Sequence, residues 1–294
     1  MDSRKLEMLL TTVRAGSFSK AAAELCCTQS AVTQSMNSLE GELGCKVLER
    51  DHRGVRLTAV GKELYPDIVS AEMNMRQLVD HAAQIAGART LPLRIGVFSS
   101  ISTTWLPPML RTYKLLHPEV FFDIRVGTDS IVQWLSCGEI DVALGDDARC
   151  RAFRFMPLQD DPYCAVLPEE TVDKGRKRIA QDELAQLPFL MAPMNALDRH
   201  LSVIPHNRTN VNCDDDSTLL SMVEQGLGAT VMPALCLTGR QAHVHVLELE
   251  PAAKRILGVA LPKTPTRAAS LFASFLVDKF SYKGSVPKAD QAAD

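Results

Sequence analysis

The sequence predicts an α+β chain built in three parts, and three observations carry that prediction. Residues 1–58 hold short helical stretches followed by a basic hairpin. Residues 59–89 hold a strict seven-residue apolar repeat. From residue 90 to 283, strand-like and helical runs alternate. Such alternation marks α/β layering with largely parallel strands. The chain has 294 residues, 46% of them hydrophobic, so it has material for more than one core and does not read as disordered. The polar end, 284–294, is expected to be a disordered tail.

Leu6, Leu9, Leu10 and Val13 make the apolar stripe of a first helix. Gly16 stops it and Ser17 stands where a cap for the next helix belongs. Lys20 to Cys26 reads as a second, alanine-rich helix. Thr28 caps a third, whose stripe is Val32, Met36, Leu39 and Leu43, and Gly44 ends it. "KVLERDHRGVRLT" reads as two strands joined at His52-Arg53-Gly54. Thr58 then caps a long helix. Its stripe, Leu64, Ile68, Ala71, Met75, Leu78, Ala82 and Ile85, keeps 4-3 spacing throughout, as a coiled-coil seam facing a partner helix does. A helix lying on its own core, the alternative, carries a wider stripe. Pro66 removes one backbone hydrogen bond and is expected to kink the helix. Further on, "LRIGVF", "FFDIRV", "DVALG", "YCAVL", "ATVMP" and "ILGVAL" read as buried strands. Leu106–Leu116, Ser130–Cys137, Ser217–Gln225 and Arg267–Phe280 read as helices. Some ten strands suit two α/β lobes.

Net charge is −3, which does not announce a polyanion partner. Residues 44–62, however, set Lys46, Arg50, Arg53, Arg56 and Lys62 against only Glu49 and Asp51, and a local patch is what a polyanion meets. Charges interrupt the N-terminal run where a signal peptide needs apolar residues, and no window is long enough for a membrane span. A cytoplasmic protein with no membrane partner is expected. Eight cysteines show no C-x-x-C and no zinc spacing. They read as buried small hydrophobes, with a redox or thiol-metal sensor at Cys26–Cys27 or Cys213 as the alternative. His243 and His245 share a strand face but lack a third ligand, so no metal is expected. The acidic run "NCDDDS" suits a helix N-terminus. No nucleophile elbow, phosphate-cradling loop or dinucleotide fingerprint occurs, so neither an enzyme nor a cofactor is expected.

The start of the third helix carries Gln29, Ser30, Thr33 and Gln34, polar and uncharged. Amide and hydroxyl side chains read base edges in the major groove, while cations hold phosphates. Arg50, Arg53 and Arg56 supply the cations from the adjoining hairpin. Its tip places Arg53 to enter a minor groove.

The stretch from Gly16 to Leu64 resembles the winged helix–turn–helix of LysR-type transcriptional regulators. The likeness is carried by Gly16-Ser17-Phe18, Ala21-Ala22, Leu25, Gln29, Ala31-Val32, Leu39-Glu40, Leu43-Gly44, Arg50, Leu57-Thr58 and Gly61. "LPPMLRTYKLLHPEV", "LSCGEIDVAL" and "SMVEQGLGATVMP" are similar to that family's effector-domain segments. The resemblance implies a winged head over 1–58, a dimerising linker helix over 59–89, and an effector module over 90–283. That module would have two lobes similar to type 2 periplasmic binding proteins. It puts base reading on Gln29, Ser30, Thr33 and Gln34, with Arg50 beside them and Arg53 in the minor groove. Ser30 stands where proline is common in the family, and Thr33 where serine is, which touches the preferred half-site. It puts the effector cleft after the strands ending at Phe98 and Val126, with Ser100, Ser102 and Thr128 as hydrogen-bonding groups. Arg199 would neutralise an anionic small-molecule effector, a surface salt bridge being its alternative. The implied partners are promoter double-stranded DNA, a second copy or a homotetramer, and RNA polymerase. A ligand-independent or thiol-responsive DNA-binding protein, and a small-molecule carrier, are the competing readings.

Overall fold

The computed structural model describes residues 2–51, 54–85, 92–171, 175–191, 208–213, 215–240 and 242–280. The chain opens with α1 (Ser3–Ala15), α2 (Phe18–Glu24) and α3 (Gln29–Leu43), the hairpin of β1 (Leu48–Asp51) and β2 (Gly54–Leu57), and the long α4 (Ala59–Ile85). Gly16 and Gly44 end α1 and α3 at φ 62° and 70°, in left-handed backbone that glycine enters without steric cost. The Thr28 hydroxyl accepts from the Ala31 N–H at 3.2 Å, and that of Thr58 from the Gly61 N–H at 2.9 Å. Both therefore cap as expected. Two details differ. α2 starts at Phe18 rather than Lys20 and stops at Glu24, because Phe18 packs on the core of the head, and the Ser17 hydroxyl makes no cap bond. α4 continues through Pro66.

Leu6 and Leu9 of α1, Ala22 of α2, Val32, Met36 and Leu39 of α3, Val47, and Ile68 of α4 form one core. Each large side chain among them contributes roughly 1.5–3 kcal/mol by leaving water. Glu40 is buried beside this core and accepts from the N–H groups of Val47 and Leu48 at 2.9 and 3.0 Å and from Lys46 at 2.6 Å. Burial opposes its charge, but these donors prevail and hold its carboxyl below the usual range. The end of α3 is thereby tied to the hairpin. α4 is seated against the same segment at Gly61, where a Cβ would lie 2.1 Å from the Val47 carbonyl oxygen.

The remaining elements are β3 (Leu93–Val97), α5 (Ser99–Thr103), α6 (Leu106–Leu116), β4 (Phe122–Val126), α7 (Ser130–Ser136), β5 (Val142–Asp146) and α8 (Asp147–Cys150). Then come β6 (Arg154–Pro168), β7 (Arg178–Ala180), α9 (Gln181–Leu184), β8 (Phe189–Met191), β9 (Arg208–Asn212) and α10 (Asp216–Glu224). β10 (Thr230–Pro233), α11 (Ala234–Leu237), β11 (Val244–Glu250), β12 (Lys254–Leu261) and α12 (Arg267–Phe280) complete the order. The chain divides into two compact units. One comprises Met1–Gly96, Tyr113–Ala143 and Leu261–Ser274, and the other Val97–Thr112, Leu144–Ala260 and Phe275–Asp294.

In the first unit β3 has β4 on one side and β5 on the other. β4 was expected to be buried, yet Asp123, Ile124 and Val126 are exposed. It is the edge strand, so its apolar residues have a covering neighbour on one side only. In the second unit β12, β6, β11 and β7 follow in order, with β10 also on β6. Here the expectation of largely parallel strands is corrected. β10 and β11 both run antiparallel to β6, whereas β7 runs parallel to β11 and β8 parallel to β9. Alternating strands and helices do not distinguish a strand that returns by a tight connection from one that crosses over. Tyr163, Ala165, Leu167, Phe189, Leu247 and Leu249 fill one face of this sheet; Val166, Leu190, Leu219, Val223 and Met232 belong to a second cluster.

Candidate nucleic-acid interface and effector site

The N-terminal turn of α3 is open to solvent, with Gln29, Ser30 and Gln34 exposed and Thr33 half-buried. These side chains are held in place by neighbours. The Ser19 hydroxyl donates to Gln29 Oε1 at 2.8 Å, the Thr33 hydroxyl donates to the Gln29 carbonyl at 3.0 Å, and the hydroxyls of Thr28 and Ser30 lie 2.9 Å apart. α2 thus orients the first amide of this exposed turn, a role for Ser19 that residue type alone did not suggest. The hairpin pairs Leu48 with Leu57, Glu49 with Arg56 and Arg50 with Val55. Arg50 is exposed and its guanidinium sits 6.0 Å from the Phe18 ring centroid. Arg53 lies outside the described residues. The hairpin is pinned to the α1–α2 turn, since Val55 N–H donates to the Gly16 carbonyl at 2.9 Å. Gly54, at φ 120°, has no room for a Cβ, which would fall 2.5 Å from the same oxygen.

The Cys26–Cys27 pair sits in the α2–α3 turn. Cys26 has φ 50°, the only non-glycine with positive φ among the described residues, and is exposed, whereas Cys27 packs on the head core. The pair therefore has a structural account: one closes the turn and the other fills the core beneath it.

The residues expected to meet an effector are placed unevenly. Ser100 on α5 is only 6% exposed. Its hydroxyl accepts from Arg255 Nη2 at 3.0 Å, so it is part of a buried network. Arg255 is itself buried and pairs with Asp161 at 2.7 Å, and Asp161 also accepts the Leu235 N–H at 2.9 Å. Arg149 pairs with Asp146 at 2.6 Å. Both guanidinium groups stand 5.6 Å from the Phe98 ring centroid. Ser102 is turned to its own backbone, donating to the Ser99 carbonyl at 2.8 Å. Thr128 is exposed in the turn after β4, within the other unit. Arg199 lies outside the described residues. Sequence reasoning passed over Arg255, Asp161, Arg149 and Asp146. The signal was available in "KRILGVAL", where an arginine opens a run that is otherwise apolar and buried. A buried cation needs a carboxylate near it.

The remaining clusters have local roles. Asp215 caps α10 by accepting the Thr218 N–H at 2.7 Å, which accounts for part of the acidic run. His243 is exposed, 3.9 Å from Glu169, and His245 Nε2 is buried without a partner. Burial pushes the Cys150 thiol up to about 12 and raises that of Cys236, whose Sγ donates to Asp216 at 3.1 Å. Thiols so shifted carry little thiolate and react slowly. Among the described residues, no helix is long and apolar enough to cross a membrane.

A helix–turn–helix with a basic β-hairpin wing, followed by an α/β module with buried, charge-lined strand ends, defines a DNA-binding protein with a second domain of ligand-binding type. Residues 3–62 match the family model described as bacterial regulatory helix-turn-helix protein, lysR family, and residues 86–281 match that of the LysR substrate binding domain. The chain belongs to the LysR family: it is a DNA-binding transcriptional regulator with an effector-binding domain. It is 28% identical over 281 residues, 93% of this chain and 95% of the relative, to the probable HTH-type transcriptional regulator LrrA of Synechococcus elongatus. Among solved structures it is similar to a full-length OxyR variant from Pseudomonas aeruginosa, with TM-score 0.68, 22% identity, and coverage of 94% of this chain and 95% of that one. It is also similar to full-length LysG of Corynebacterium glutamicum with bound effector Arg, with TM-score 0.62, 20% identity and coverage of 95% and 97%.

Proposed function

We propose that this regulator reads promoter DNA through Gln29, Ser30, Thr33 and Gln34, and holds the flanking phosphates and minor groove through Arg50 and Arg53. The observation that carries this is the exposed, uncharged first turn of α3 beside an arginine-bearing wing. Base reading and charge neutralisation are thereby assigned to different elements. The boundaries 1–58, 59–89 and 90–283 for head, linker helix and effector module belong to the same proposal. So does pairing of two copies along α4, with a homotetramer as the larger assembly. A small anionic effector meets the module near Ser100, Ser102, Thr128 and Arg199. Its negative charge falls to Arg199 and to backbone amides, because Arg149 and Arg255 each already face an aspartate.

DNA selected by the wild-type protein from a random-sequence pool provides the test. Gln29→Ala should lose about 1–3 kcal/mol on the selected site and discriminate less against point-substituted sites. Arg50→Ala should weaken selected and scrambled duplexes alike and flatten the salt dependence. Undiminished discrimination in the Gln29 variant would remove the assignment of α3 as the reading helix.

A further inference from the structure

In the first unit, the turn that follows α7 touches both α1 and α4. It runs from Cys137 to Asp141 and presents two carboxylates, Glu139 and Asp141, whose side chains are 10% and 5% exposed. Each faces two arginines of different origin. Glu139 pairs with Arg125 of β4 at 2.8 Å and with Arg14 of α1 at 3.5 Å. Asp141 pairs with Arg94 of β3 at 3.1 Å and with Arg76 of α4. The Tyr65 hydroxyl of α4 donates to Cys137 Sγ at 3.0 Å, and Arg76 donates to the Gly138 carbonyl at 3.3 Å. Gly138 lies on α4 at φ 67°, so close that a Cβ would come 3.3 Å from Met73 and 3.6 Å from Val69.

The double pairing has an energetic consequence. Separating a buried ion pair usually costs several kcal/mol because one charge is left buried and alone. Here, if α1 and α4 moved away, Glu139 would keep Arg125 and Asp141 would keep Arg94. The contact can therefore open without stranding a buried carboxylate. A cavity of about 350 Å³ adjoins it, lined by Glu7, Arg14, Glu72, Arg76, Arg94 and Glu139. At this joint Glu72 of α4 feels the opposite charge of Arg94 and the like charge of Asp141. The joint therefore combines ion pairs with like-charge repulsion, the kind of balance on which a two-state element is built. Asp141 also immediately precedes β5, which is buried throughout and ends at Asp146, the partner of Arg149.

We propose that the Cys137–Asp141 turn is a reversible clasp holding α1 and α4 to the effector module, and that its release carries the state of that module to the DNA-reading head. The first test needs no ligand and does not depend on the DNA reading above. The full chain is treated with N-ethylmaleimide, and modification is followed at each cysteine by peptide mass spectrometry. Cys137 should react far more slowly than exposed Cys26 in the wild type. Arg14→Ala with Arg76→Ala should accelerate Cys137 at least tenfold while buried Cys150 stays protected, and 1 M NaCl should act in the same direction. Arg14→Ala alone, at the surface of α1, should give a smaller rise, whereas Lys5→Ala, which removes an ion pair within the head, should give none. Unchanged Cys137 reactivity in both arginine variants overturns the clasp. Its regulatory role rests on the DNA reading and is tested separately with selected duplexes. The double variant should bind a full two-head site at least fivefold more weakly, and a half-site as well as wild type does. Equal loss on both duplexes, or loss on neither, overturns the coupling; failure of wild type to select any sequence would instead count against the DNA reading.

Discussion

The two halves of α4 carry one apolar repeat and put it to different uses. In the N-terminal half, Ile68 is 6% exposed inside the head core, Leu64 and Ala71 pack against that core, and Val69 and Met73 are buried. In the C-terminal half, Leu78 is 70% exposed and Val79 62%, with Met75 and Ala82 also exposed; the side chain of Ile85 lies outside the described residues. A stripe of constant spacing thus passes from buried to exposed along its length. Its first turns complete a core within the chain, and its later turns leave large apolar side chains exposed. Large exposed apolar residues grouped on one helix mark an interaction site. Spacing reports which residues share a face, and it does not report what covers that face.

The sharpest way to break the contrast is at the seat of the buried half. Gly61→Ala drives a Cβ into the Val47 carbonyl, and no flexible side chain is there to give way. A loss of roughly 3 kcal/mol or more from head stability is expected in urea unfolding of the full chain. Next comes a paired comparison. Ile68→Ala should cost about 2–4 kcal/mol of that stability, whereas Leu78→Ala should change it by less than about 0.5 kcal/mol. The Leu78 variant should instead shift the dimer dissociation constant in sedimentation equilibrium. Equal destabilisation by the two would mean that the C-terminal half is also covered within its own chain.

The smallest effect is expected where the halves meet. Burial raises the Glu72 carboxyl above its usual range; Arg76 and Arg94 oppose that shift, and Glu7 and Asp141 add to it. An acid whose folded pKa is raised lowers stability while it is ionised, and the penalty fades as pH falls through that pKa. Glu72→Gln should therefore stabilise the protein at pH 7, by well under about 1 kcal/mol because the group is partly solvated. The gain should shrink towards pH 4. A gain that grew on acidification would reverse the assigned sign. Glu40 behaves oppositely: its carboxyl is held down, so its contribution is present at neutral pH and is lost as pH falls through the lowered folded pKa.

Local chemistry determined much of this protein from sequence alone. Gly16 and Gly44 end helices because left-handed backbone excludes most side chains, and Thr28 and Thr58 cap helices because their hydroxyls reach N–H groups three residues on. The 4-3 spacings gave α3 and α4 their faces, and the polar quartet at 29–34 marked a solvent-facing turn because no core explains it. These signals act within one or two turns of chain, so the order of residues contains them. Tertiary structure alone decided that Ser100 belongs to Arg255 and Asp161, that β4 is an edge strand, that β10 and β11 run antiparallel to β6, and that the stripe of α4 is buried in its first half and exposed in its second. It likewise decided that Glu139 and Asp141 each meet one arginine from β3 or β4 and one from α1 or α4. Ser100 and Arg255 are 155 residues apart, and the Coulomb and desolvation energies that join them depend on separation in space. No spacing along the chain encodes that distance until the fold has closed.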